Sequence, residues 1–265
     1  MAGVWRRRPV IAATVVVVAA VALVVSWPHL MRYVGSAPPT QFDQPDSVSQ
    51  PVGAGAKVLG IAHNAGNNLD TLDAALRAGA DVIEIDVISA QGRLVAGREH
   101  YPWPGLARAL FRGPTLEDAW RAAAGAEIKL DLKQQDAPFL EQVVSFLRSH
   151  AGDRRVLVST PDRASLLLLH ERLPEVTLLA SVSDPPALER LRADPTLLSA
   201  VGGLSAYQGL VTADLVTWAH ARGLVVLAWT VDGGSRLGEL VRLGVDGITT
   251  ANLAVLRALR STGRP

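Results

Sequence analysis

Short β-branched runs alternate with helical patterns along most of this chain, and that alternation limits the possible folds more than any other feature of the sequence. Helical patterns such as those near 69–78 and 139–147 lie between the runs, and a longer connection at 89–113 separates the second run from the third. Alternation of this kind predicts a parallel sheet. Eight units in about 205 residues favour a closed α/β barrel, the (β/α)8 TIM barrel, over an open doubly wound sheet. The runs begin near Val58, Val82, Ile128, Val156, Thr177, Ala200, Val225 and Ile248.

The N-terminal segment is apolar over a length that suits a membrane span. The stretch Pro9–Pro28 has no charged residue, is rich in valine and alanine, and follows three arginines at 6–8. About 20 helical residues cross a hydrocarbon core of roughly 30 Å. Because basic residues mark the cytoplasmic side of a span, we expect an N-terminal transmembrane helix with the rest of the chain outside the cytoplasm. A cleaved signal peptide, with its cleavage site at the small residues 35–37, is the alternative.

These features divide the chain into three parts. Residues 1–35 are predicted to be a cytoplasmic stub and transmembrane anchor, and 36–56 a linker, because proline, glycine, serine and glutamine are frequent there. Residues 57–265 are predicted to form the barrel. We therefore expect a single-pass protein of the cell membrane whose barrel domain is extracytoplasmic.

Composition excludes several classes of function. The chain has no cysteine, which rules out disulfides, thiolate metal sites and cysteine nucleophiles. Its formal net charge is +1, and three of its basic residues belong to the cluster at 6–8. The rest of the chain is thus almost neutral and has no basic footprint of the kind that binds nucleic acid. We expect no nucleic-acid partner.

Polar residues collect at the carboxyl ends of the predicted strands, where the active sites of this barrel class lie. His63 ends the first strand. Glu84 and Asp86 lie two residues apart in the second, so strand alternation points both side chains to one face. Two carboxylates inside a barrel repel each other unless a cation lies between them. Oxygen ligands suit a hard cation such as Mg²⁺ or Ca²⁺, whereas a lysine or arginine paired with each acid is the structural alternative.

The third and seventh strands add further candidates. Asp131 and Lys133 share one face of the third strand, where they would supply a third metal ligand and a cation for a phosphate oxygen, or simply pair with each other. Glu127 and Lys129 have the same spacing and the same parity. The later pair is preferred because it lies nearer the carboxyl end of the strand. Trp229, at the end of the seventh strand, would either form the floor of a pocket or belong to the core.

Five motifs follow one another in a characteristic order. They are Ile61-Ala62-His63, Gly79-Ala80-Asp81-Val82-Ile83-Glu84-Ile85-Asp86-Val87, Asp131-Leu132-Lys133, Trp229-Thr230-Val231 and Gly244-Val245-Asp246-Gly247-Ile248-Thr249-Thr250. In this order they resemble the glycerophosphodiester phosphodiesterase family over about residues 58–259. The resemblance implies a (β/α)8 fold and a divalent cation held by Glu84, Asp86 and Asp131. It also implies hydrolysis of a small or lipid-derived phosphodiester to an alcohol and glycerol phosphate, with acid and base histidines and with Lys133 stabilising charge on phosphate.

The chain departs from the family pattern at its histidine and phosphate-binding positions. The family usually has His-Arg after the first strand, and here the pair is His63-Asn64, which leaves Asn64 as the candidate for binding substrate. The family's second histidine aligns with Arg98, and His100 follows two residues later with the same strand parity. We expect His63 and His100 to be the catalytic pair, with Arg98 and Trp229 binding substrate. The alternative is that only His63 acts.

Two other functions stay open. The loop at 63–67 and the triplet at 131–133 are also similar to the sphingomyelinase D type phospholipases, which share the barrel, the metal and the paired histidines but form a cyclic phosphate. A catalytically inactive barrel that serves as a binding module of the cell envelope is the other possibility, because the family's arginine is missing and its second histidine is displaced. Turnover of a phosphodiester distinguishes an enzyme from a binding module.

Overall fold

The computed structural model describes residues 57–98, 111, 113–152 and 154–260. The strands of its single sheet are β1 Leu59–Ala62, β2 Val82–Ala90, β3 Arg93–Ala96, β4 Glu127–Leu132, β5 Val156–Thr160, β6 Thr177–Val182, β7 Gly203–Tyr207, β8 Val225–Trp229 and β9 Gly247–Thr250. The α-helices are α1 Leu69–Ala78, α2 Leu116–Ala122, α3 Ala137–His150, α4 Arg163–Arg172, α5 Pro185–Arg192, α6 Pro195–Ala200, α7 Ala213–His220, α8 Gly234–Leu243 and α9 Leu253–Leu259. Short 3-10 helices cover Ala65–Asn67 and Gln208–Leu210.

Eight of these strands form a closed parallel barrel. They follow one another in the order β1-β2-β4-β5-β6-β7-β8-β9, and β9 returns to pair with β1. Ile61 lies at the closing point, in register with Val82 on one side and with Thr249 on the other. The expected (β/α)8 TIM barrel is therefore confirmed.

A repeated Gly-x-Asp motif connects two of the outer helices to the strands that follow them. Gly79 and Gly244 end α1 and α8 with φ of 88° and 84°, a left-handed conformation that favours glycine. Two residues later, Asp81 accepts a hydrogen bond from the Gly60 backbone N–H at 2.9 Å, and Asp246 accepts one from Val226 at 2.7 Å. Each carboxylate thus fixes the start of its own strand against the backbone of the neighbouring strand.

The barrel interior changes from apolar to polar toward the carboxyl ends of the strands. A small apolar cluster, which we call the barrel plug, consists of Ile61, Val82, Leu157, Leu179 and Leu227. Two residues further along these strands, on the same inward face, come His63, Glu84, Ser159, Ser181 and Trp229. The side chains between, such as Ile83 and Ile85, pack outward in the main core. The polar layer therefore rests on a filled, rigid base.

The structure differs from the sequence-based expectation at two connections. Ala200 does not begin a strand: it ends α6, and β7 begins at Gly203. The connection at 89–113 contains β3, which pairs antiparallel with β2 through a turn at Gln91 and Gly92. Both turn residues have positive φ, 53° and 77°, as tight hairpin turns require.

The N-terminal expectations lie outside the described residues. The predicted anchor at 9–28 and the linker at 36–56 both precede residue 57. Within the part of the chain that the structure describes, no helix has the length and apolar character to cross a membrane.

Candidate active site

A cavity of about 460 Å³ opens at the carboxyl ends of the barrel strands. Six of the site residues predicted from the sequence line it: His63, Glu84, Arg98, Asp131, Lys133 and Trp229. Asp86, two residues beyond Glu84 on β2, is fully buried. The strand positions chosen from parity therefore do converge on one site, as the active-site face of a barrel requires.

Three carboxylates meet at one side of this cavity. One oxygen from each of Glu84, Asp86 and Asp131 lies within 4.8 Å of the others. Glu84 and Asp86 come from β2 and Asp131 from β4, and the register of these two neighbouring strands places Asp131 directly beside Asp86. A set of three oxygen donors this close together fits a hard divalent cation. This cluster could thus hold a metal ion.

Protein cations already contact the same carboxylates. Lys129 Nζ lies 3.1 Å from Glu84 Oε2, and only 2% of the lysine side chain and 4% of the glutamate side chain are exposed. Lys133 Nζ lies 3.0 Å from Asp86 Oδ1 and also pairs with Asp131. The structure thus contains features of both alternatives derived from the sequence. The carboxylates are close enough together for a metal ion, and each of them also pairs with a lysine.

Asp86 is held by more groups than the other two acids. Asn67 Nδ2 donates to Asp86 Oδ2 at 2.8 Å, and the Asp86 backbone N–H donates to Asn67 Oδ1 at 2.9 Å. Arg98 Nε donates to Asp86 Oδ2 at 2.9 Å. The loop that carries Asn67 can approach β2 because position 66 is glycine, where a Cβ atom would collide with Ile85. Asn67 therefore orients Asp86 from the loop that follows β1, while Arg98 contacts it from the side of the cavity.

The charges at the end of β4 influence one another. Burial by itself would raise the pKa of Asp131, but Lys129, Lys133 and hydrogen bonds from Lys133 and Ser159 outweigh it and hold this pKa below its ordinary value. Burial likewise opposes the charged form of Lys133, and Asp86 and Asp131 overcome it and raise the pKa of Lys133. Both side chains are consequently charged across the neutral pH range.

The remaining predicted residues differ in how far the structure describes them. His63 lies at the rim of the cavity, with its backbone N–H bonded to Thr250 at 2.8 Å. Asn64 is 7% exposed, and within the described residues its Oδ1 has no hydrogen-bond partner; its role in binding substrate stays a prediction. His100 lies outside the described residues, and so its catalytic role also stays a prediction.

Sequence reasoning assigned no role to three groups at this site. Lys129 has the parity of Asp131, but the later pair was preferred because it lies nearer the carboxyl end of the strand. Asn67 lies in the loop at 63–67, where no individual role was predicted for it. Ser159 Oγ donates to Asp131 Oδ1 at 2.8 Å. Nothing in the sequence marks this serine as a site residue except its position two residues after an inward leucine. The register between neighbouring strands brings Lys129 and Ser159 to the carboxylates, and the close approach of the loop at Gly66 brings Asn67.

Aromatic side chains lie on the other side of the cavity. Trp229 ends β8, and Tyr207 ends the neighbouring β7; their ring centroids are 5.7 Å apart in an edge-to-face arrangement. In the closed barrel, β7 and β8 are three or four strands away from β2 and β4. The cavity thus has a charged side and an aromatic side. A (β/α)8 barrel with acidic and basic side chains gathered at this face of the strands has the architecture of an enzyme active site.

Comparison with known proteins gives a consistent answer. The sequence profile of the "Glycerophosphoryl diester phosphodiesterase family" matches residues 113–255, more than half of the chain. A glycerophosphodiester phosphodiesterase of Bacillus altitudinis is 25% identical over 217 residues, which cover 69% of this chain and 88% of that protein. The chain therefore belongs to the glycerophosphoryl diester phosphodiesterase family, and so to the phosphoric diester hydrolases.

Solved structures share the fold. A phosphodiesterase of Oleispira antarctica, determined in complex with the product sn-glycerol-3-phosphate, superimposes with a TM-score of 0.64 at 22% identity, covering 76% of this chain and 96% of its own. A glycerophosphodiester phosphodiesterase of Parabacteroides distasonis has a TM-score of 0.62 at 20% identity, covering 79% and 99%. At these identities the likeness establishes the barrel.

Proposed function

We propose that this protein hydrolyses glycerophosphodiesters to an alcohol and glycerol phosphate, with Mg²⁺ or Ca²⁺ held by Glu84, Asp86 and Asp131. The observation that carries the proposal is the approach of three carboxylate oxygens to within 4.8 Å of one another at the wall of the cavity. The product found in the Oleispira antarctica phosphodiesterase supports the same class of substrate.

The charged side of the cavity suits the phosphate group. A bound divalent cation would polarise a phosphoryl oxygen and offset the negative charge that develops on phosphorus. Lys133 and Arg98 both line the cavity and are both fixed by Asp86, so they are preorganised to contact the other phosphate oxygens. Fixed cations of this kind stabilise a transition state without reorganisation.

His63 is the described residue best suited to move a proton. In the proposed reaction a neighbouring hydroxyl of the substrate bonds to phosphorus and loses its proton to a base, while the bond between phosphorus and the leaving oxygen breaks. The leaving alcohol gains a proton from an acid, and water then opens the cyclic phosphate to glycerol phosphate. We assign the acid and base roles to His63 and His100, since histidine transfers protons efficiently near neutral pH.

The aromatic side of the cavity would receive the leaving alcohol. Trp229 lines the cavity, and Tyr207 packs against it with 44% of its surface exposed. Because these rings lie across the barrel from the carboxylates, a phosphodiester bound at the charged side would extend its alcohol toward them. We further propose that residues 9–28 hold the enzyme at the cell membrane with its barrel outside the cytoplasm, where lipid-derived phosphodiesters arise.

The test is turnover by the purified full-length protein in detergent, with glycerophosphocholine or sphingomyelin, in Mg²⁺, Ca²⁺ or EDTA. We expect metal-dependent release of glycerol phosphate from glycerophosphocholine; sphingomyelin, which has no glycerol, tests the alternative reaction. Glu84→Gln, His63→Asn and His100→Asn should each lower kcat by at least about a hundredfold, the usual contribution of one such group. Glu117→Gln, which changes an exposed acid on α2, is the matched control and should retain full activity.

Two other outcomes would point to other functions. Release of choline from sphingomyelin with formation of a cyclic phosphate would indicate the phospholipase reaction. The ion pairs of Lys129, Lys133 and Arg98 with the carboxylates favour the inactive binding module, because they neutralise the cluster without a metal. Metal binding that Glu84→Gln abolishes, with no turnover of either substrate, would support that module and contradict the proposal.

A further inference from the structure

We propose that the Lys129 ammonium is an internal competitor of the divalent cation for Glu84, so that a metal ion binds only when Lys129 moves away from this carboxylate. The inference rests on the metal site of the proposed function and adds a residue that controls its affinity. Lys129 belongs to none of the motifs found in the sequence.

The position of Lys129 is imposed by strand register. β2 and β4 are parallel neighbours, and Glu84 is in register with Lys129 just as Asp86 is with Asp131. Side chains paired in this way lie on the same face of the sheet, so Lys129 has to emerge inside the barrel next to Glu84. Its Nζ lies 3.1 Å from Glu84 Oε2, on one of the three carboxylates that form the cluster.

The charge count explains why this lysine and a metal ion compete. Three carboxylates meet three protein cations at this wall: Lys129, Lys133 and Arg98. Their charges cancel, and a divalent cation added to this arrangement leaves two uncompensated positive charges close to a buried ammonium. Like charges at such distances repel strongly where water is excluded. The charge of Lys129 also helps to lower the pKa of Asp131, so this ammonium acts electrostatically on a second carboxylate of the cluster as well as on Glu84.

Lys129 has space into which it can move. Its side chain is 2% exposed, yet both Lys129 and Glu84 line the cavity of about 460 Å³. The flexible stem of a lysine allows its ammonium to turn toward the cavity without a change in the backbone. Lys133 pairs with the other two carboxylates and is 28% exposed, so water screens its charge better than that of Lys129 and it competes less with a metal ion.

The first test is metal binding by Lys129→Met, measured by calorimetry with Mg²⁺ and Ca²⁺ on the full-length protein. Methionine keeps an unbranched chain of similar length but has no charge. We expect the Kd to fall by about tenfold or more relative to the wild type, since a competing buried charge is removed. Lys129→Arg should bind no more tightly than the wild type. Lys57→Met, at an exposed lysine paired with Asp81, is the surface control and should leave the Kd unchanged.

A second measurement uses the wild type, in case Lys129→Met does not fold. The chain has only three lysines, at 57, 129 and 133, so carbon-13 labelling of lysine side chains gives a simple NMR spectrum. On titration with Mg²⁺ or Ca²⁺, the Lys129 signal should shift in step with metal binding, while the Lys57 signal stays in place.

Several results would overturn the inference. A Lys129→Met protein that folds and binds metal no more tightly than the wild type would show that the pair is only structural. A wild-type titration in which metal binds and Lys129 keeps its signal would do the same. Metal-stimulated turnover together with either result would leave the proposed function standing, whereas absence of metal binding in both proteins would contradict both.

Discussion

Asn67 and Asn68 are adjacent and chemically identical, but they stabilise different parts of the protein. Asn67 is 4% exposed and makes two hydrogen bonds to Asp86, whereas Asn68 accepts hydrogen bonds from Asp70 and Thr71 at the start of α1. Asn67→Ala leaves a buried carboxylate under-bonded, and we expect it to lower the free energy of unfolding by about 3 kcal/mol. Asn68→Ala removes only a helix cap and should cost about 1 kcal/mol.

Urea unfolding of the two variants measures this difference, and metal binding shows its consequence. Because Asn67 orients Asp86, Asn67→Ala should also weaken binding of Mg²⁺ or Ca²⁺, while Asn68→Ala should not. Equal losses of stability, or unaltered metal binding in Asn67→Ala, would mean that Asp86 is oriented without this amide.

At the scale of a single helix, the start of α2 gives a pH-dependent prediction. Asp118 Oδ2 accepts hydrogen bonds from the Thr115 hydroxyl at 2.6 Å and the Thr115 backbone N–H at 3.2 Å, while Thr115 Oγ1 accepts one from the Asp118 backbone at 3.1 Å. The hydrogen bond from the Thr115 side chain is the main reason why the pKa of Asp118 lies below its ordinary value of 3.8. A carboxyl group whose pKa is lower in the folded state contributes stability above pH 3.8, and this contribution is lost as the pH falls through the folded pKa.

We therefore expect Asp118→Asn to be less stable than the wild type at pH 6, and the difference to shrink as the pH drops below 3.8. Urea midpoints measured across this range test it. Glu117→Gln, at the neighbouring acid of the same turn, controls for loss of charge near a helix N-terminus. A difference from wild type that is constant with pH would show that the cap is not made by the carboxylate.

Elements also show how far the sequence could be interpreted. Strands such as Val82–Ala90 are recognisable from the sequence because they are rich in β-branched residues. These residues favour a strand locally, and they are also buried in the structure. The predicted strand at Ala200 was wrong because Asp194 and Pro195 begin a short helix that ends at Ala200. The strand itself begins three residues later, at Gly203. Parity identified Glu84, Asp86 and Asp131, since it is a property of one strand. Parity could not show that Lys129 pairs with Glu84, because the partner of an inward side chain depends on the register between two strands.

At the scale of the whole molecule, the barrel closes through contacts that lie entirely within residues 57–260. β1 pairs with β9 and β2, and the C-terminal helix α9 packs against β1 and α1. Closure removes the edges of a parallel sheet and is expected to make unfolding a single cooperative transition. The described residues therefore contain the strand pairings that close the barrel.

A protein comprising residues 57–265 should consequently unfold cooperatively, with a free energy of unfolding within about 0.5 kcal/mol of that of the full-length chain, as expected for a change remote from the core. The two proteins should differ instead in location. If residues 9–28 span the membrane, the full-length chain sediments with membranes and resists extraction by salt, while the shorter protein is found in the soluble fraction. Release of the full-length chain as a mature form that begins near residue 38 would identify the segment as a signal peptide. Loss of cooperative unfolding in the shorter protein would show that residues before 57 take part in the barrel, and would contradict the closure described above.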